Sequence, residues 1–321
     1  MNTTDTNDKT LRRFLIPLDT GASYDRPISF MKCLIATLGR RIEKVTLLHV
    51  MAGRYLSQHM TNVDIRVSSI ISTDKFRRLR SDYLDRQIRP VLEAAKKELE
   101  SAGIQAPVEI VIDDGEPVEQ IVKKANEDDY STLILQRSNA SRVEEMFVGS
   151  VTSGVLHREV KGTIYLPGMG QIGGAACPPK SCLIALGASP CDQVVLERAS
   201  VLLAACGDNL EKVVLTHVLD VVKCSEEMGN GTVSGSYIDD LLGKAADFLA
   251  AQGIAKNKII QAVGCGNPAD VLVDEINMQE VGIVFMGRRD RTALKELFMG
   301  SISRKIIYRC SKRTVVLVSA V

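Results

Sequence analysis

The chain has 321 residues, with 40 Lys and Arg against 39 Asp and Glu, giving a formal net charge of +1. That length suits two domains, and a 45% hydrophobic share suffices to bury their cores and argues against global disorder. Near-neutral charge and 4% aromatic residues, with no Trp, remove the usual grounds for a nucleic-acid or membrane-surface partner.

Residues 1–10 are polar, so a disordered lead-in is expected there rather than a signal peptide. Residues 14–18 form a short apolar run, as a buried parallel strand does. Helical apolar spacing follows over 26–38, then a second apolar run over 45–51. A long charged helix is predicted over 73–101, ending at Gly103. Next come a strand at 108–112, a helix at 117–125 opened by Pro117, and a strand at 132–135. A helix at 149–159 and a strand at 162–166 complete the first half. The order then returns, with strands at 181–186, 213–219, 258–262, 282–286 and 314–318 and helices at 192–205, 237–251, 268–276 and 301–308. Each half therefore predicts an α/β domain: a doubly wound, five-stranded parallel sheet with helices on both faces.

The two halves also repeat in sequence. Leu15-Ile16-Pro17-Leu18 returns as Leu183-Ile184-Ala185-Leu186, and Leu48-His49-Val50 as Thr216-His217-Val218, both at a shift of 168. Gly115-Glu116-Pro117 returns as Gly266-Asn267-Pro268, and Gly149-Ser150 as Gly300-Ser301, at a shift of 151. The difference of 17 is extra chain in the first half, between Val50 and Gly115. Glycine-rich residues 168–174 followed by Pro178-Pro179 cannot continue a helix or a central strand. The expected division is a lead-in at 1–10, a domain at 11–168, a linker at 169–178 and a second domain at 179–321.

Eight cysteines are present and none forms a C-x-x-C pair, so free thiols packed in the cores are expected, with no metal site. No apolar run approaches the roughly 20 residues of a membrane span, and a cytoplasmic location is expected. The basic residues between Lys75 and Arg89 alternate with Asp82 and Asp85, which suggests a solvated helix face with local ion pairs. His49 and His217 fall at equivalent positions of separate sheets and read as core or pocket-wall residues. There is no P-loop, no G-x-S-x-G elbow and no other catalytic signature, so no catalytic residue is assigned.

Ligands of such folds sit beyond the C-terminal strand ends, where the strand order switches. At those positions the chain resembles the universal stress protein family. Pro17-Leu18-Asp19-Thr20-Gly21 matches its first-strand Asp motif, and Leu48-His49-Val50 matches the end of its second strand. After the fourth strand the family carries G-x-x-G, nine residues, then G-S or G-T. The second half reads Gly287-Arg288-Arg289-Asp290, nine residues, then Gly300-Ser301-Ile302-Ser303. The first half reads Gln136-Arg137-Ser138-Asn139, the same gap, then Gly149-Ser150-Val151-Thr152. The resemblance implies a tandem arrangement of a Rossmann-like, adenine nucleotide alpha hydrolase-like fold.

Family members with the full motif bind ATP, and others do not. The resemblance therefore implies an adenine-nucleotide site in at least one half, with Mg²⁺ accompanying ATP. Asp19 and the chain near Val50 and Val218 would line the adenine pocket, with Gly187 standing where the second half lacks the Asp. Gly149, Ser150 and Thr152, or Gly287, Arg288, Arg289, Gly300, Ser301 and Ser303, would meet the phosphates. Backbone N–H groups at glycines and helix starts suit that task. The second half keeps more of the phosphate motif and is the favoured site. The basic segment from Arg288 to Arg313 adds to its attraction for an anion. The last strands, which family members pair in dimers, are expected to pair here within the chain as a pseudo-dimer, with further homodimer formation open. The resulting expectation is a non-catalytic, nucleotide-responsive stress regulator. The alternative is a protein-interaction scaffold without nucleotide binding, and slow ATP hydrolysis is a weaker third reading.

Overall fold

The computed structural model describes residues 10–19, 24–52, 74–127, 129–137, 148–168, 177–219, 235–288 and 300–319. The first half contributes strands β1 (Arg13–Pro17), β2 (Lys44–Met51), β3 (Val108–Asp114), β4 (Thr132–Ile134) and β5 (Thr163–Leu166). Its described helices are α1 (Asp25–Leu38), α2 (Asp74–Tyr83), α3 (Arg89–Ser101), α4 (Pro117–Glu127) and α5 (Ser150–Leu156). The second half contributes β6 (Ser181–Leu186), β7 (Lys212–Leu219), β8 (Ile259–Cys265), β9 (Ile283–Arg288) and β10 (Thr314–Ser319). Its described helices are α6 (Cys191–Cys206), α7 (Gly235–Ala251), α8 (Pro268–Met278) and α9 (Ser301–Arg309).

Strand residues alternate between two cores, which is why the strands read as continuous apolar runs. Phe14 and Ile16 point to the layer holding Leu34, Leu92 and Leu202, while Leu15 between them points to the layer holding Ile121, Val155 and Leu272. The repeated G-x-P motif starts the equivalent helices α4 and α8. Asn267 caps α8 by accepting from the N–H of Ala269 at 3.1 Å, and Glu116 accepts from the N–H of Glu119 at 2.9 Å.

The two half-sheets are one sheet. The order is β3-β2-β1-β4-β5-β10-β9-β6-β7-β8, so His49 and His217 belong to one sheet rather than two. Every neighbouring pair is parallel except β5 and β10, which meet antiparallel, Val316 opposite Tyr165 and Leu317 opposite Ile164. Val316 lies one repeat shift of 151 after Tyr165, so this register maps onto itself when the halves are exchanged. The joint is thus a two-fold interface within one chain.

Side chains repeat the symmetry. Arg137, at the end of β4, donates from Nη1 to the Ile307 carbonyl of α9 at 3.0 Å. Arg288, its equivalent at the end of β9, donates from Nη2 to the Leu156 carbonyl of α5 at 3.0 Å. Each arginine caps the C-terminal end of the other half's helix.

The expectation of free thiols holds for Cys182, Cys191, Cys206 and Cys310, which are buried. Burial pushes the Cys206 thiol up to about 12. It fails for Cys33 and Cys177, which form a disulfide across 144 residues, with Cα atoms 5.4 Å apart. Cys265 is also disulfide-bonded. Spacing gave no hint of the Cys33–Cys177 bond, because only the folded chain brings α1 beside the segment that enters β6. No helix among the described residues is long and apolar enough to cross a membrane.

Candidate functional site

In the first half, β1, β2 and β4 end around a cavity of about 360 Å³. Its wall contains Asp19, Val50, Gly149, Ser150 and Thr152, five of the residues named from sequence. They come from the end of β1, from β2 and from the start of α5, segments distant in the chain that meet at the switch between β1 and β4. The sequence favoured the second half; the cavity described here belongs to the first.

The cavity has two kinds of wall. Val50, Met51, Ala52, Pro117, Ile121 and Tyr83 make an apolar end, and Asp19 supplies an exposed carboxylate beside β1. Gln136, Arg137 and the start of α5 make a polar end. Gly149 precedes α5 with φ 85°, a conformation that a side chain would strain. Ser150 is exposed. The Thr152 hydroxyl donates to the Gln136 carbonyl at 2.6 Å, so its proton serves to fasten α5 to the end of β4.

His49 is the buried wall between these ends. Its Nδ1 lies 2.9 Å from the Leu18 carbonyl, which can only accept, so Nδ1 carries the proton. His217 makes the equivalent 2.9 Å contact with the Leu186 carbonyl in the second half. Both histidines hold the end of a first strand, which agrees with their reading as pocket-wall or core residues.

The second half departs at each point of the motif. Where Asp19 stands in the first, Gly187 donates its N–H to Asp192 at 3.1 Å. Asp192 also accepts from the Ser189 N–H at 3.2 Å and the Ser189 hydroxyl at 2.9 Å. The loop after β6 is folded onto a carboxylate that its own helix supplies. Gly287 and Arg288 were expected in a phosphate loop, yet they belong to β9, paired with Val318 and Ser319 of the longer β10. A Cβ on Gly287 would lie 2.7 Å from Cys191 Sγ, so this glycine lets α6 approach the sheet. Arg288 also donates to the Arg158 carbonyl at 2.8 Å, which commits its guanidinium to the first half.

Gly300 has an ordinary φ of −57°, unlike Gly149. Ser301 is exposed and Ser303 buried at the start of α9, and Val218 is half-buried near the end of β7. Arg289 and Asp290, like Ser138 and Asn139 of the first half, lie outside the described residues. The basic segment around α9 is partly neutralised. Asp270 pairs with Lys305 and Arg309, each at 2.6 Å, and these partners hold its carboxyl below the usual range. After α2, Arg89 pairs with Asp85 at 3.0 Å, the local pairing expected of that face, whereas Arg80 of α2 pairs across to Asp114 of β3 at 2.6 Å.

Sequence reasoning missed Tyr83, Gln136 and Arg137 as cavity wall. Arg137 was findable, because it stands one repeat shift before Arg288. Tyr83 has no such signal, since the residue at its repeat position in the second half is Val233.

The fold and its cavity define a doubled, Rossmann-like α/β protein with a ligand-sized cleft at a strand switch. The family model of the universal stress protein family matches residues 32–158 and again 179–318. The chain belongs to this family, whose members are stress-response proteins. It is 27% identical over 152 residues to the universal stress protein MJ0577 of Methanocaldococcus jannaschii, a match covering 47% of this chain and 91% of that protein. Its fold resembles a universal stress protein from Archaeoglobus fulgidus, with TM-score 0.69, 20% identity and coverage of 96% and 98% of the two chains. It also resembles PA1789 of Pseudomonas aeruginosa, described as functionally unknown, with TM-score 0.60, 11% identity and coverage of 97% and 93%.

Proposed function

We propose that the first half, residues 11–168, is an adenine-nucleotide-binding domain. The second half, residues 179–321, is its structural partner in an internal pseudo-dimer. The observation that carries this reading is the cavity at the ends of β1, β2 and β4, walled by Asp19, Val50, Gly149, Ser150 and Thr152. Its volume of about 360 Å³ falls within the range of small-molecule sites. One apolar end and one polar end suit a molecule with a flat base and an anionic tail.

Asp19 is the acceptor for ribose hydroxyls or a base amine. Ser150 and the backbone N–H groups at the start of α5 face the phosphates, with Mg²⁺ sharing their charge when ATP is the ligand. In this reading the chain acts by binding, as a non-catalytic regulator. The commitment of Gly187, Asp192, Gly287 and Arg288 to packing supports a second half without this ligand.

Isothermal titration of the full chain with ATP and Mg²⁺ tests the reading. Heat is expected with the wild type and strongly weakened binding with Asp19→Ala and Gly149→Asp, each checked for folding by thermal melt. No heat at millimolar ATP overturns nucleotide binding. Loss with Gly300→Asp but not with Gly149→Asp moves the site to the second half.

A further inference from the structure

The helix that precedes the third strand of each half is approached differently in the two halves. Ile88 just before α3 and Leu92, Ala95 and Leu99 along it are buried, and Ile238, Leu242, Ala245 and Leu249 are buried at a constant shift of 150 along α7. Their spacing is that of one helix face. At that shift Tyr83 corresponds to Val233, so the aromatic side chain at this position belongs to the first half alone.

A π-helical turn, Leu84–Ile88, joins α2 to α3. Such turns are rare, cost hydrogen-bond regularity and occur mostly at functional sites. This one keeps both Leu84 and Ile88 in the core, 7% and 0% exposed, and leaves Tyr83 half-buried at the cavity. The Arg80–Asp114 pair at 2.6 Å fastens α2 to the end of β3, just before the loop that leads to Pro117. The aromatic ring thus reaches the apolar end of the cavity, beside Val50–Ala52 and Pro117, on a fixed helix rather than a loop.

We propose that Tyr83 is the specificity-determining residue for the base end of the ligand, stacking its ring on a purine. This rests on the nucleotide reading above and adds to it. The ligand is selected by its flat base, so a nucleoside suffices for binding, and an inorganic polyphosphate does not compete. Tyr83 contributes through its π-face, so its hydroxyl is dispensable. The first half then carries an aromatic base-recognition residue where the second half has Val233.

The test titrates the full chain with adenosine, ATP and inorganic tripolyphosphate, using wild type, Tyr83→Phe, Tyr83→Leu and Tyr83→Ala. Stacking on an aromatic side chain predicts about a tenfold loss of adenosine and ATP affinity in Tyr83→Leu and Tyr83→Ala. Tyr83→Phe is expected to stay within about threefold of wild type, and tripolyphosphate to give no heat. Tyr83→Leu preserves apolar bulk against the core, so a folded Tyr83→Leu with weak binding supports stacking even where Tyr83→Ala melts early. Wild-type affinity in Tyr83→Leu overturns this inference and leaves the nucleotide reading standing. Absence of binding to the wild type itself overturns both.

Discussion

Arg137 and Arg288 are the same residue in two halves, yet they sit at different depths. Arg137 is 4% exposed and donates to three carbonyls: Ile307 at 3.0 Å, Leu166 at 3.3 Å and Arg313 at 3.2 Å. Hydrogen bonds from a charged donor are worth about 1.5–3 kcal/mol each, so the three total about 5–9 kcal/mol. Against this stands the cost of burying the guanidinium. Burial lowers its pKa from 12.5 to about 10, which corresponds to about 3 kcal/mol. Arg137→Ala is therefore expected to destabilise the chain by about 2–6 kcal/mol, in the range of breaking a buried polar network. Arg288 is half-buried, and water can replace it at the Leu156 and Arg158 carbonyls. Its truncation is expected to cost about 1 kcal/mol. Urea unfolding with fitted midpoint and slope measures both. If Arg288→Ala costs as much as Arg137→Ala, or Arg137→Ala stays within about 1 kcal/mol of wild type, the reasoning from burial is wrong.

Two further outcomes follow from the same interface. The Tyr165 hydroxyl is fully buried at the two-fold joint and has no hydrogen-bond partner among the described residues, so Tyr165→Phe is expected to be neutral or to stabilise by about 1 kcal/mol; a clear drop in melting temperature would show that the hydroxyl is satisfied. Reducing the Cys33–Cys177 disulfide frees a loop closed across 144 residues, for which chain entropy sets a stabilisation of about 5 kcal/mol. A lower melting temperature in dithiothreitol, reproduced by Cys33→Ser, is expected, and unchanged melting would refute a structural role for the bond.

Much of the fold was legible because its signals are local. Apolar runs such as Phe14–Leu18 and the Gly-x-Pro helix starts carry their own reasons, and the repeat multiplied each signal by two. The candidate site was legible as a set of positions but not as an assignment between halves. Gly287 matched a phosphate-loop pattern, while its physical task is to admit Cys191 of α6 against the sheet. Arg288 matched an anion-binding pattern, while its partners are carbonyls of the other half. A motif records residue types, and these residues serve long-range packing that no local spacing encodes. The disulfide was hidden for the same reason.

The antiparallel joint between β5 and β10 has a geometric consequence. All strands within a half run the same way, so reversing direction at the joint points the two sets of C-terminal strand ends to opposite edges of one sheet. The switch points β1/β4 and β9/β6 are four strand positions apart, about 19 Å at the usual strand spacing. A ligand in the first cleft therefore lies at the opposite edge of the sheet from the second half's C-terminal strand ends. Any signal from that cleft to the second half has to cross the sheet through shared groups such as Arg137, which stands in the wall of the cleft and holds the helix of the other half.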